Sequence, residues 1–195
     1  MYKIVTTPNK ILIEKSEEVK NFDKKLLEIL KGMEEALLAT VDPIGVGLAA
    51  PQVGLSLRIF QMKPTSKSKV SSYINPVIEK VSDEEEIPQS SIKGNPPAGG
   101  NKPESSKNKL LEGCLSIPDI WGNVTRKKIV SLRWQDEKGN TYMKEFSGFP
   151  AIIIQHEMDH LNGFLFTKRV MEQNEKLFKS HKNKEGEDEF EEIKI

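Results

Sequence analysis

The stretch Gln155-His156-Glu157-Met158-Asp159-His160 constrains this chain more than any other. It is an H-E-x-x-H array preceded by an apolar run over 151–154. Ser147 and Pro150 read as a helix start, a capping hydroxyl followed by a residue tolerated in the first turn, and Gly163 reads as the stop. A helix over 149–161 puts His156 and His160 one turn apart on the same face. Two imidazoles so placed can grip one metal ion, and Glu157 stands beside them to handle a proton. The alternative is a helix with two incidental histidines. The chain holds only three, so two at this spacing with Glu directly after the first favour the metal reading. A catalytic metal takes three protein ligands and keeps an open position, so a third must come from elsewhere.

With 195 residues, 36% of them hydrophobic, there is material for one well-buried core and too little for two comfortable domains. Lys plus Arg number 29 and so do Asp plus Glu, which argues against DNA or any nucleic-acid partner held mainly by charge. No apolar run approaches the length that spans a bilayer, and residues 1–20 are charged and unlike a signal, so no membrane partner is expected. A single cysteine, Cys114, rules out an internal disulfide and fits a reduced, cytoplasmic protein.

Along the chain, Thr7-Pro8-Asn9 reads as a turn before Ile11-Leu12-Ile13. Asp23 can cap a helix with Leu26, Leu27, Leu30, Met33, Leu37 and Leu38 on one core-facing stripe, ended by Asp42-Pro43. Gly45-Val46-Gly47-Leu48-Ala49-Ala50-Pro51-Gln52 is so small in side chain that backbone must come close to something. It is either a tight loop under a helix or a lip along which an extended peptide can lie; no Lys-Ser or Lys-Thr follows to make it a phosphate loop. Strands are expected over 58–62 and over 72–81, the second interrupted by Asn75-Pro76. The span 82–108 is rich in Glu, Ser, Pro and Gly and nearly free of large apolar residues, so it reads as a flexible excursion from the domain, with a short ordered lid as the other option. Strands over 129–134 and 141–146 join across the turn residues 136–140. Trp121 and Trp134 read as packing residues. The charged extension over 171–195 is expected to be partly helical, over 171–179, or disordered, with His181 solvated there.

Cys114 lies in the glycine-flanked segment Glu112-Gly113-Cys114-Leu115-Ser116. Alone it would read as a small buried hydrophobe. Beside two metal-binding histidines it is the natural third ligand. A thiolate with two imidazoles suits Fe(II), Zn(II), Ni(II) or Co(II) over Mg(II) and Ca(II).

Three segments, 45–52, 112–116 and 155–160, together resemble the signatures of the peptide deformylases, in the same order. The likeness covers 1–170, one catalytic domain, with 82–108 as an insertion. It implies an α+β fold in which antiparallel sheets pack around a central metal-binding helix carrying H-E-x-x-H. It also implies removal of the formyl group from the N-terminal formyl-methionine of new polypeptides, with release of formate. Cys114, His156 and His160 would hold the metal, and Glu157 would act as general base and then acid. In family positions, the Gln52 amide and the Leu115 backbone N–H would hold the oxyanion. A pocket lined by Val46, Leu110, Phe149, Ile152 and Ile153 would take the methionine side chain. Main-chain atoms of Val46, Gly47 and Gly113 would pair with the extended substrate. Asp159 is expected in a supporting role, paired with Arg126. Trp121 stands where some relatives carry an arginine, which bears on distal substrate contacts and not on the chemistry.

Two other functions stay open on the residues. H-E-x-x-H is shared with zinc metallopeptidases. An inactive ribosome-associated homologue could use Lys176, Lys179, Lys182 and Lys184 of the C-terminal extension to touch rRNA.

Overall fold

Asp23 does what its place before an apolar stripe predicts: its side chain accepts from the Leu26 N–H at 3.1 Å and starts helix α1, Lys24–Leu38. The computed structural model describes residues 2–87, 110–184, 186 and 188–194. The buried stripe of α1 is Leu26, Ile29, Leu30, Met33, Ala36 and Leu37. Leu27 and Leu38 were expected on it and are instead 48% and 50% exposed. At 3.6 residues per turn Leu27 sits about 100° and Leu38 about 120° round the helix from Leu26, off the core face. The helix stops well before Asp42-Pro43, where the Thr40 hydroxyl donates to the Leu37 carbonyl at 2.6 Å.

The chain then forms β1, Gly47–Ala49, a 3₁₀ turn over Ala50–Val53, β2, Ile59–Met62, and β3, Ser71–Val81. Side chains alternate across these strands. Leu48, Ile59 and Ile74 pack on the α1 side, while Ala49, Phe60 and Tyr73 point to the other face. Asn75-Pro76 bulges β3 without ending it: the register shifts between Ile74 and Val77, and Asn75 takes φ 49°. The Asn75 side chain both accepts from and donates to the Val19 backbone at 2.8 Å.

After β3 comes β4, Glu85–Glu86, so residues 82–87 of the expected excursion are laid against the domain. The remainder of that excursion, 88–108, lies outside the described residues. The next strands are β5, Glu112–Cys114, β6, Ile117–Gly122, β7, Arg126–Lys127, β8, Ile129–Gln135, and β9, Thr141–Ser147. β4 pairs with β7. β8 and β9 pair over seven residues across a turn in which Asp136 Oδ1 accepts from the N–H groups of Lys138 and Asn140.

Helix α2, Phe149–Leu161, follows β9 directly. Ser147 is not its cap; it closes β9, and Gly148 at φ 62° takes the cap position without a side-chain bond. The chain turns from strand to helix within one residue, through a backbone conformation that glycine tolerates. α2 buries nine of its thirteen residues, so it needs protein on almost every side. Its Ile153, Ile154, Met158 and Leu161 pack on the face of the sheet opposite α1. Asn162 and Gly163 end it, Gly163 at φ 75° as expected, and Arg58 Nη1 donates to the Leu161 carbonyl at 3.3 Å.

Helix α3 is Phe166–Glu172. The helix expected over 171–179 does not form: its second half is β10, Leu177–Lys182, paired with β11, Asp188–Glu192. Leu177 and Phe178 gain an apolar partner surface on β6, and that tertiary pairing overrides local preference. The sheets run β1-β2-β3-β8-β9 and β11-β10-β6-β5, with every named pairing antiparallel, and the class is α+β as expected. No helix among the described residues is long and apolar enough to cross a membrane.

The face assignment of α1 is testable by urea denaturation. Leu30→Ala should cost about 3 kcal/mol as a core truncation, whereas Leu27→Ala should stay within about 1 kcal/mol.

Candidate active site

β5 ends at Cys114, and α2 brings His156 and His160 to it from one side. The two imidazoles stand one helical turn apart, ring centroids 5.0 Å from each other. Cys114 Sγ lies 3.2 Å from His160 Nε2. One donor atom from each of the three residues falls within 4.8 Å of the others. Burial raises the Cys114 thiol, but the charges and hydrogen bonds of His160 and His156 outweigh it and bring it down to about 5. A sulfur that ionises easily beside two ring nitrogens is a donor set fit for a borderline-soft divalent ion.

A network of charges sits behind the rings. His156 Nδ1 lies 3.1 Å from Glu112 Oε2, which turns the other ring nitrogen away from Glu112. Glu112 is gripped by both arms of Arg126, Nε to Oε1 and Nη2 to Oε2, each at 2.8 Å. Arg126 Nη1 donates to Asp159 Oδ2 at 2.7 Å, and Arg169 Nη2 donates to Asp159 Oδ1 at 2.7 Å. Burial opposes ionisation of Glu112, yet Arg126 holds its carboxyl down at about 2. The expected Asp159–Arg126 pair is present. Glu112, two residues before the cysteine, as a partner of Arg126, and Arg169, as a partner of Asp159, were not foreseen.

Glu157 stands beside His156, 3% exposed, and its Oε2 has no hydrogen-bond partner among the described residues. Burial lifts its carboxyl to about 7, against the pull of the two histidines. The small-residue lip explains itself here. A Cβ on Gly47 would collide with the Glu157 carboxylate and lie 2.9 Å from Ile153 Cγ2. Gln52, 2% exposed, accepts from the Ala49 N–H at 2.9 Å and donates from Nε2 toward Cys114 Sγ at 3.4 Å and Ser116 Oγ at 3.3 Å.

These groups form the floor of a mainly apolar cleft. Val46, Gly47, Leu110, Gly113, Phe149, Ile152 and Ile153 all line it, as do Gln52, Cys114, Leu115, His156 and Glu157. His160 is buried behind, 1% exposed. His181 stands apart on β10, half exposed, 3.5 Å from Glu189 Oε2. Gln155 clasps β7: its Oε1 accepts from the Lys127 N–H at 3.0 Å and its Nε2 donates to the Lys127 carbonyl at 2.9 Å.

The sequence model for polypeptide deformylase matches residues 1–176. The chain belongs to the polypeptide deformylase family. It is 38% identical over 168 residues to peptide deformylase 1 of Bacillus cereus, spanning 86% of this chain and 91% of that one. It is 37% identical over 185 residues to the peptide deformylase of Borreliella burgdorferi, spanning 94% and 97%. The crystal structure of peptide deformylase from Thermotoga maritima superposes with a TM-score of 0.70 at 32% identity, over 87% of this chain and 97% of that one. This deformylase is therefore a hydrolase that removes the N-formyl group of newly made polypeptides.

Two members of the deformylase site escaped the sequence reading, Glu112 and Ser116. For Glu112 no local signal existed: Glu28 also directly follows two leucines, and its side chain is 67% exposed. Nothing local announces that Ser116 meets Gln52. Arg126→Ala should destabilise the protein by about 3–5 kcal/mol in urea, because buried Glu112 loses its arginine partner and Asp159 keeps only Arg169. Removing the exposed Lys176–Glu192 pair, 2.7 Å apart, should cost less than about 1 kcal/mol.

Proposed function

We propose that Cys114, His156 and His160 hold one divalent ion at the floor of the cleft, and that the formyl end of a formyl-methionyl peptide is hydrolysed there. The observation that carries the reading is the meeting of one thiol and two imidazoles beside a buried carboxylate that has a free oxygen. That donor set suits Fe(II), Zn(II), Ni(II) or Co(II), and the family likeness makes Fe(II) the first choice among them. When bound, such an ion supplies Lewis acidity and makes a water more acidic. α2 is then the central metal-binding helix, and the sheets are its wrapping.

The chain's own residues do the rest. Glu157, with a carboxyl lifted to about 7, takes a proton from the attacking water and returns it to the departing amine. Attack on the formyl carbon puts negative charge on the formyl oxygen. The Gln52 Nε2 donor, fixed by the Ala49 N–H through its own oxygen, and the Leu115 backbone N–H receive that oxygen. Collapse breaks the C–N bond, leaving formate and a free amine. The methionine side chain lies against Val46, Leu110, Phe149, Ile152 and Ile153, and the main chain of Val46, Gly47 and Gly113 pairs with the extended peptide. A thiolate donor needs a reducing compartment, in keeping with the cytoplasm, where formyl-methionyl chains are made.

The ribosome reading draws little support from the extension. Lys176 pairs with Glu192, and Lys182 pairs with Asp188 and Asp42, so half of the basic run is already matched. The zinc-peptidase reading is at odds with the family to which the chain belongs.

Protein prepared anaerobically and loaded with Fe(II) should release formate from formyl-Met-Ala-Ser. Removing the ion with a chelator should stop this, and adding it back should restore it. Glu157→Ala should retain the ion and lose the activity, while Gln52→Ala should lower kcat about 10²-fold. Loaded wild-type protein that leaves formyl-Met peptides untouched would sink the proposal.

A further inference from the structure

Past the family match, which ends at residue 176, the chain goes on into the hairpin of β10 and β11. That hairpin completes the sheet whose opposite edge is β5, the strand that ends at Cys114. Between them, Trp121 of β6 stands across from Phe178 of β10 on one side and Gly113 of β5 on the other. Three contacts hold its indole. Nε1 donates to Ser180 Oγ at 3.0 Å. The Phe190 ring meets it edge-on, centroids 6.0 Å apart and planes at 81°. Its six-membered ring lies so close over Gly113 that a Cβ there would be 2.7 Å from two ring carbons.

Trp121 packs, as its sequence reading expects, in one buried cluster with Leu111, Phe178 and Phe190. It also lines the cleft beside Gly113. The residues that fix its position are thus largely those of the hairpin. At the far end of β10, Lys182 lies 3.5 Å from Asp42 Oδ2, adjacent to the Pro43 and Ile44 that line the cleft. Both partners are exposed, so the pair contributes little energy. It does mark that the hairpin reaches the 43–47 side of the cleft as well as the Gly113 side.

We infer that the C-terminal hairpin is a specificity element: through Ser180 and Phe190 it positions Trp121 as an apolar wall for the residues that follow the formyl-methionine. The inference rests on the proposed pairing of the substrate main chain with Gly113. An indole face favours aromatic and apolar side chains. Among the described residues lining the cleft there is no lysine or arginine. Ser180 and Phe190 are positioning residues, acting through Trp121.

The test uses the metal-loaded enzyme on formyl-Met-Phe-Ser, formyl-Met-Asp-Ser and formylmethionine amide, the last having no following residue. Wild type should prefer the Phe peptide to the Asp peptide. Ser180→Ala should raise KM for the Phe peptide roughly two- to tenfold, the worth of one hydrogen bond, with kcat kept. It should leave formylmethionine amide unaffected. Ser180→Thr, which keeps the hydroxyl, should restore KM, and Phe190→Leu should shift KM in the same direction as Ser180→Ala. Weaker binding of the product Met-Phe-Ser by Ser180→Ala, followed by indole fluorescence, should accompany the KM change. An equal loss on all three substrates, or no change on any, would overturn the hairpin's role while leaving the deformylase reading intact. Wild type inactive on all three would overturn both.

Discussion

Arg126 is the residue on which the site's geometry depends. Its guanidinium is buried and reaches Glu112 on β5 with two donors and Asp159 on α2 with a third. β5 carries Cys114 and α2 carries both histidines, so one side chain ties together the two elements that bear the donor atoms. Three charged groups taken out of water would be costly apart, and only their mutual hydrogen bonds make the arrangement tolerable. Arg169 extends the tie from Asp159 to α3, and Glu112 extends it to the His156 ring. The same network fixes the orientation of the His156 ring, through its contact with Glu112.

Close packing does for Glu157 what the ion pairs do for the histidines. The lip at Gly47 leaves no room for a side chain because the carboxylate occupies it. Walled in this way, Glu157 resists ionisation, because burial disfavours its charged form. Gly113 has the same character on the other side of the cleft, where Trp121 lies over it. Two glycines thus flank the cleft, each made necessary by a different neighbour.

Much of this was legible because it is local. The spacing of His156 and His160, the cap at Asp23, the turn at 136–140 and the stop at Gly163 all depend on residues a few positions apart. The errors were local readings that distant contacts overruled. Leu27 and Leu38 looked like core because leucine usually is, while Ile29 and Ala36 took those places. Residues 177–182 looked helical or unstructured until Trp121 and Phe190 gave their apolar side chains a surface.

What the sequence alone determined was the chemistry available: one thiol, a pair of imidazoles one turn apart, a carboxylate between them, and a stretch of small residues. Those follow from residue identity and from the fixed period of a helix, which need no tertiary information. Only the tertiary structure decided that Glu112 and Arg126 would brace His156, and that a hairpin beyond the matched domain would back the wall of the cleft. Pairing between residues 14, 44 or 59 positions apart has no period along the chain, because it is settled by which surfaces meet when the core closes.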